Sequence, residues 1–167
     1  MAGVIRIHET GGPEVLRYEE IALESPGPGQ ARVRQTVVGL NMIDTYHRSG
    51  LYPLPPLPQG IGVEAAGEVE AVGDGVELVR VGDRVGYATR PPGSYATERN
   101  LAADRLIPLP DDIRDEQAAA MLLKGMTVEY LVRRTFRVEP GMTVLFHAAA
   151  GGVGLIACQW LAHLGAT

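Results

Sequence analysis

The residues with the clearest chemical meaning lie near the C-terminus, in HAAAGGVG from His147 to Gly154. Glycine and alanine leave the backbone bare there, so its amides could approach a pyrophosphate closely. A helix that followed would add the pull of its N-terminus. The flanks suit that use. Thr143 to His147 carries Val144, Leu145 and Phe146, the apolar run of a short strand. Beyond the glycines, Ile156, Leu161 and Leu164 fit a helix over Val153 to Leu164, and Gly165 fits the position that ends it. Strand, glycine turn and helix is how a dinucleotide-binding βαβ unit begins. The G-x-G-x-x-G fingerprint would fall on Ala149, Gly151 and Gly154, with an alanine replacing the first glycine. An ordinary tight strand-to-helix turn is the competing reading. Only Ala166 and Thr167 follow Gly165, so the second strand and its ribose-reading residue are missing.

The 167 residues suit one domain, or one domain and the start of another. An apolar fraction of 46% is ordinary for a globular chain. A net charge of −5 argues against nucleic acid or an acidic membrane as partner. No apolar run reaches the roughly 20 residues of a membrane span, and MAGVIRIHETGG lacks the core of a signal peptide. Cys158 is the only cysteine, which excludes an internal disulfide and a cysteine-rich zinc site. In the last helix it reads as a buried structural residue. A soluble cytoplasmic protein is expected.

The elements that must position the glycine turn are mostly strands. Val4 to His8 and Glu14 to Ile21 read as a hairpin-like pair. Gln30 to Leu40 alternates, with Ala31, Val33, Gln35 and Val37 on one side and Arg32, Arg34 and Thr36 on the other. Asn41 to Ser49 can form one or two helical turns ending at Gly50. Pro53, Pro55, Pro56 and Pro58 stiffen the next loop. Further strands are expected over Gly60 to Gly73, Arg84 to Ala88, Gly93 to Glu98 and Leu106 to Leu109. The period then changes. Asp115 to Arg134 repeats apolar residues at helical spacing, with acids at its start and Arg133 and Arg134 at its end. Gly125 should either break this helix or permit close approach by a neighbour. The fold class is α/β overall: a mainly β, partly open barrel domain over residues 1–125, then a connecting helix and an incomplete Rossmann start over 126–167.

The motifs GGPEVL at Gly11 to Leu16, GLNMIDTYHRSGLYP at Gly39 to Pro53, GVEAAGEVEAVG at Gly62 to Gly73, VGDRV at Val81 to Val85, LKGMTVEYL at Leu123 to Leu131 and HAAAGGVGLIACQW at His147 to Trp160 extend the reading to the whole chain. In these the chain closely resembles the zinc-free quinone oxidoreductases, the zeta-crystallin-like branch of the medium-chain dehydrogenase/reductase superfamily. The resemblance implies a GroES-like catalytic domain followed by a Rossmann domain, in chains about twice as long. It implies NADPH as cofactor, a quinone as substrate and hydride transfer as the reaction. A homodimer is expected at full length. The 167 residues alone are expected to be inactive.

Zinc-dependent relatives carry a cysteine where Asn41 stands and a histidine where Val63 stands, so no metal is expected. By resemblance, Asn41, Tyr46 and Tyr52 form the substrate pocket. A tyrosine offers a flat quinone its ring face, and a hydroxyl to the oxygen on which charge develops. The alternative for Tyr46 is an anchor whose hydroxyl is satisfied locally. By resemblance too, Met42, Ile43, Thr127 and Tyr130 reach the nicotinamide side of the cofactor. Asp44, in the same turn, is assigned to the cofactor-binding residues with them, more as a structural acceptor than as a base. Lys124, the only lysine, could bind a phosphate or hydroxyl. The amides of Gly151, Gly152 and Val153 are expected to cradle the pyrophosphate, with Gly154 and Leu155 beside them. Two other functions compete: reduction of the activated double bond of an enone or alkenal, and a non-catalytic crystallin-like or RNA-binding role.

Overall fold

The computed structural model describes residues 1–54 and 56–167, so Pro55 in the proline-rich loop lies outside the described residues. Two compact units divide the chain, Met1–Ala120 and Met121–Thr167.

In the first unit, β1 (Ala2–Ile7) pairs antiparallel with β2 (Arg17–Ile21), with Ala2 opposite Ile21 and Arg6 opposite Arg17. A single 3₁₀ turn, Pro13–Val15, joins them and buries Val15. The alternating run becomes β3 (Gln30–Gly39), the longest strand. It lies between β5 (Glu64–Val72) and β7 (Glu98–Ala102). β6 (Arg84–Ala88) and β8 (Ile107–Pro108) extend that sheet to the order β7-β3-β5-β6-β8. The short β4 (Gln59–Gly60) completes a smaller sheet, β2-β1-β4. Ala31, Val33, Ala65, Val69, Val85 and Tyr87 fill the core under the larger sheet. The alternation of β3 is not strict, because its register on β5 shifts at Arg32/Val33 and again at Gln35/Val37. Such bulges turn a strand and re-aim its side chains. The polar Gln35 on this inner side donates to the Ala96 carbonyl (2.5 Å) and accepts from the Tyr87 hydroxyl.

The strand expected at Gly93 to Glu98 lies instead at Glu98–Ala102. Residues 93–97 link the two sheets. Gly93 and Tyr95 N–H groups donate to the Gly62 and Ile61 carbonyls (2.7 and 2.9 Å), Ile5 N–H to Tyr95 (2.7 Å), and Thr97 N–H to Gly3 (2.8 Å). A segment whose backbone groups serve two sheet edges cannot run along one ladder. The result is an open β arrangement, without a closed barrel.

α1 (Met42–Ser49) follows β3 directly and stops at Gly50, whose φ of 82° is the left-handed cap that a side chain resists. α2 (Asp115–Tyr130) begins on the larger sheet. Asp115 accepts from Arg84 (Nη2 to Oδ1, 2.6 Å) and from the Thr36 hydroxyl (2.5 Å). The helix runs unbroken through Gly125, where an added Cβ would meet nothing within 4 Å, so neither role expected for that glycine applies. Its last turn widens to π geometry over Leu131–Thr135.

In the second unit, Val128, Val132, Val138, Ala157 and Leu161 form the core. Residues 143–147, expected as a strand, form no regular ladder. One edge is nonetheless met. Thr167 N–H donates to the Met142 carbonyl (2.9 Å), and Val144 N–H to the Thr167 carbonyl (2.8 Å), the slanted pattern of a parallel pair. α3 (Gly152–His163) is long enough to return the chain to the start of that segment. Cys158 is exposed, not buried: α3 buries Gly154, Ala157 and Leu161, and Cys158 lies at the edge of that face.

Candidate functional site

β3 ends and α1 begins at Asn41, which is 7% exposed. Its backbone N–H donates to Asp44 Oδ2 (2.9 Å), and its side-chain Nδ2 donates to Glu64 Oε2 (2.8 Å). Glu64 is fully buried at the start of β5. Asp44, 4% exposed, also accepts from the Tyr95 hydroxyl at the same Oδ2 (2.9 Å). Burial and the adjoining Asp44 carboxylate both push the Tyr95 phenol well above its ordinary range, so it stays a donor. Asp44 thus fixes the entry of α1.

The helix presents Met42 outward at 64% exposed, with Ile43 half-buried. Tyr46 and Tyr52 meet edge to face, ring centroids 5.3 Å apart, and Tyr52 N–H donates to the Tyr46 carbonyl (3.1 Å). Neither hydroxyl has a hydrogen-bond partner among the described residues. The structure therefore brings Asn41, Met42, Ile43, Asp44, Tyr46 and Tyr52 together within one helix and its exit.

Three further residues belong to this cluster. Glu64 has a sequence signal, a lone charge in the otherwise small and apolar run from Gly60 to Gly67. His47 is fully buried behind Tyr52, with ring centroids 6.4 Å apart. Burial lowers its pKa, Arg90 lowers it further, and Asp44 opposes them. Tyr95 reaches Asp44 from a loop, and no spacing in the sequence announces that contact.

Asn41 directs its amide to Glu64, and Val63 is an aliphatic residue at 4% exposed. Among the described residues no group of three or more histidine, cysteine, aspartate or glutamate side chains could hold a metal ion.

In the second unit, the turn before α3 holds Ala148 at φ 54°. Gly151 N–H donates to the Ala148 carbonyl (2.9 Å), so that amide serves the turn. Gly152, Val153 and Gly154 occupy the first turn of α3, where a helix leaves its N–H groups without intrahelical partners. Gly154 is buried, and a Cβ there would collide with the Ala148 and Ala149 carbonyl oxygens. Gly152 is exposed, and a Cβ there would come within 2.9 Å of Lys124 Cδ and Cε. The stem of the only lysine therefore lies against the N-terminus of α3. A cation beside an uncapped helix start fits a phosphate, so this end suits a phosphate-bearing cofactor. Leu155 is 58% exposed and Tyr130 47%. Thr127 and Tyr130 lie three apart on α2, and the Thr127 hydroxyl donates to the Leu123 carbonyl (2.7 Å).

An open β domain feeding a long helix and a glycine turn defines the class: the chain belongs to the alcohol dehydrogenase GroES-like domain family, whose pattern matches residues 27–135. Within it, the chain is 57% identical to a quinone oxidoreductase of Pseudomonas aeruginosa, over 99% of this chain and 51% of that protein. It is 48% identical to a 2-haloacrylate reductase of Burkholderia, over all of this chain and 51% of that one. The structure of an Escherichia coli quinone oxidoreductase complexed with NADPH superposes with a TM-score of 0.95 at 52% identity, covering 99% of this chain and 51% of that one. The chain spans about half the length of the relatives it matches.

Proposed function

We propose that this chain is part of an NADPH-dependent quinone oxidoreductase that transfers hydride to its acceptor without a metal. The observation that carries the reading is Lys124 against Gly152 at the start of α3, a place built for phosphate, in a chain 52% identical to a protein solved with NADPH. The first-turn amides of Gly152, Val153 and Gly154 hold the pyrophosphate together with Lys124. Gly151 shapes the turn, and Leu155 covers its outer side. Met42 and Ile43 in the first unit, and Thr127 and Tyr130 in the second, are the further residues assigned to the cofactor. Asp44 acts indirectly, by fixing α1.

NADPH, when bound, supplies the hydride. The chain's own residues bind and orient the acceptor. Tyr46 and Tyr52 give a flat quinone an apolar wall, and their hydroxyls donate to the oxygen on which negative charge develops. Asn41 is held in place by Glu64 and keeps the start of α1 rigid beneath them.

A second reading, reduction of an activated carbon–carbon double bond, is favoured by the 48% identity to a 2-haloacrylate reductase. The same donors would then stabilise an enolate oxygen. Steady-state NADPH oxidation by the protein of the complete reading frame, with a benzoquinone, a naphthoquinone and an enone, decides between them. We expect the quinones to be reduced with the higher kcat/KM. Turnover of the enone alone would select the second reading, and no acceptor-dependent oxidation would overturn both.

A further inference from the structure

Tyr95 is fixed by its surroundings before its hydroxyl meets the candidate site. Its N–H donates to the Ile61 carbonyl (2.9 Å), and its carbonyl accepts from Ile5 N–H (2.7 Å). Its ring packs against the core of Ile7, Val15 and Ile61 and over Gly62, where an added Cβ would drive into it. A ring locked by backbone and packing carries its hydroxyl to one place. That place is Asp44 Oδ2 (2.9 Å), the oxygen that also accepts from Asn41 N–H (2.9 Å). Asp44 N–H in turn donates to the Asn41 carbonyl (3.0 Å). The first turn of α1 is therefore anchored, through Asp44, to a residue 51 positions further along the chain. At the other end of α1, Gly11 N–H donates to the Arg48 carbonyl (3.0 Å). Eight residues are too few for a helix to hold itself. These end contacts, with that of Asn41 to Glu64, decide where Tyr46 lies. Tyr52 follows, because its N–H donates to the Tyr46 carbonyl (3.1 Å).

We propose that Tyr95 is a positioning residue for acceptor reduction: its hydroxyl, acting through Asp44, sets the place from which Tyr46 and Tyr52 donate. The catalytic part of this rests on reading those two tyrosines as the donors to the acceptor. The anchoring of α1 does not. A donor displaced by about 1 Å can cost up to a hundredfold in rate. The loss should fall on kcat, because the donation strengthens as charge develops on the acceptor oxygen. Ground-state binding of quinone and cofactor should change little.

Tyr95→Phe keeps the ring over Gly62 and removes the hydroxyl alone. In the protein of the complete reading frame, assayed well below its melting transition, kcat for a benzoquinone should fall about tenfold. KM for the quinone and Kd for NADPH should stay within about twofold. Asp44→Ala should lower kcat by at least as much, and adding Tyr95→Phe to it should lower kcat no further. An unchanged kcat in Tyr95→Phe, even beside a lower melting temperature, would make the hydroxyl structural and overturn the proposal. A further fall in the double variant would overturn the action through Asp44. Amide hydrogen exchange tests the anchoring without turnover. Residues 41–47 should exchange about tenfold faster, or more, in Tyr95→Phe, with residues 84–88 of β6 unchanged. Unchanged exchange over 41–47 would overturn the anchoring. An unaltered protein that reduces no acceptor would overturn the reductase reading, and the catalytic part of the proposal with it. Faster exchange in Tyr95→Phe would then still support the anchoring of α1.

Discussion

Asn41 Nδ2 and Glu64 Oε2 lie 2.8 Å apart, a hydrogen bond between two buried side chains that joins the start of α1 to the start of β5. At this position zinc-dependent relatives carry a metal-binding cysteine. Here the amide ties the site together through a carboxyl group.

Removing that amide should cost stability. Asn41→Ala leaves a buried carboxyl short of a donor, which costs roughly 1–3 kcal/mol. Asn41→Asp should cost more near pH 8 than near pH 5.5, because two facing carboxyl groups are tolerated when they share a proton. Urea unfolding at both pH values measures this. An Asn41→Ala loss below about 0.5 kcal/mol would mean that the bond is not what holds the two elements together.

Much of this cluster is legible in the sequence because it is local. Asn41 precedes a helix that Gly50 ends, so the cap, α1 and the Tyr46–Tyr52 spacing all follow from neighbouring residues. The contacts that were not legible are between residues distant in sequence. Tyr95 reaches Asp44 because residues 93–97 link two sheets, and period-two patterning shows only ladders. The parallel contact of Thr167 with residues 142–144 depends on where α3 returns the chain, which no spacing encodes.

His47 gives the protein a pH-dependent stability with a definite sign. Its folded pKa lies below its ordinary value of about 6.5. The unfolded chain therefore binds more protons as pH falls through 6.5, and folding must hold the ring neutral. The contribution is fully present above that pH and is lost between 6.5 and the lower folded pKa. The charged groups facing the ring are Arg90, which deepens the effect, and Asp44, which opposes it. Stability in urea should fall between pH 7.5 and 5.5, and His47→Phe should flatten that slope whatever its absolute stability. An unchanged slope would assign the pH dependence to other groups.

Tyr52 should matter to turnover and not to folding. It is 44% exposed, and its hydroxyl has no partner among the described residues. Tyr52→Phe therefore removes no internal hydrogen bond and keeps the ring contact with Tyr46. Loss of one oxyanion donor should lower kcat for quinone reduction by about tenfold or more. The melting temperature should stay within about 2 °C. A large fall in melting temperature with normal turnover would make Tyr52 a structural residue.

The two glycines at the start of α3 should separate cofactor binding from folding. Gly154 is buried, and a Cβ there would drive into the Ala148 and Ala149 carbonyl oxygens, which belong to the turn and have nowhere to retreat. Gly154→Ala should cost roughly 1–3 kcal/mol by overpacking, with NADPH affinity falling only as far as the turn distorts. Gly152 is exposed, and a Cβ there would meet only the Cδ and Cε of Lys124, 2.9 Å away, the middle of a flexible side chain. Gly152→Ala should therefore leave stability nearly unchanged while moving the ammonium from the first turn. NADPH Kd should rise severalfold. Gly152→Asp should raise it further, since a carboxylate is then set beside a phosphate. Lys124→Met keeps the stem and removes the charge, and should reproduce the loss in Gly152→Ala. Calorimetric titration with NADPH and thermal melts of the four variants, in the protein of the complete reading frame, give both readouts. If Gly152→Asp and Lys124→Met bind NADPH as tightly as the unaltered protein, the phosphate does not sit at this helix end, and the cofactor assignment fails with it.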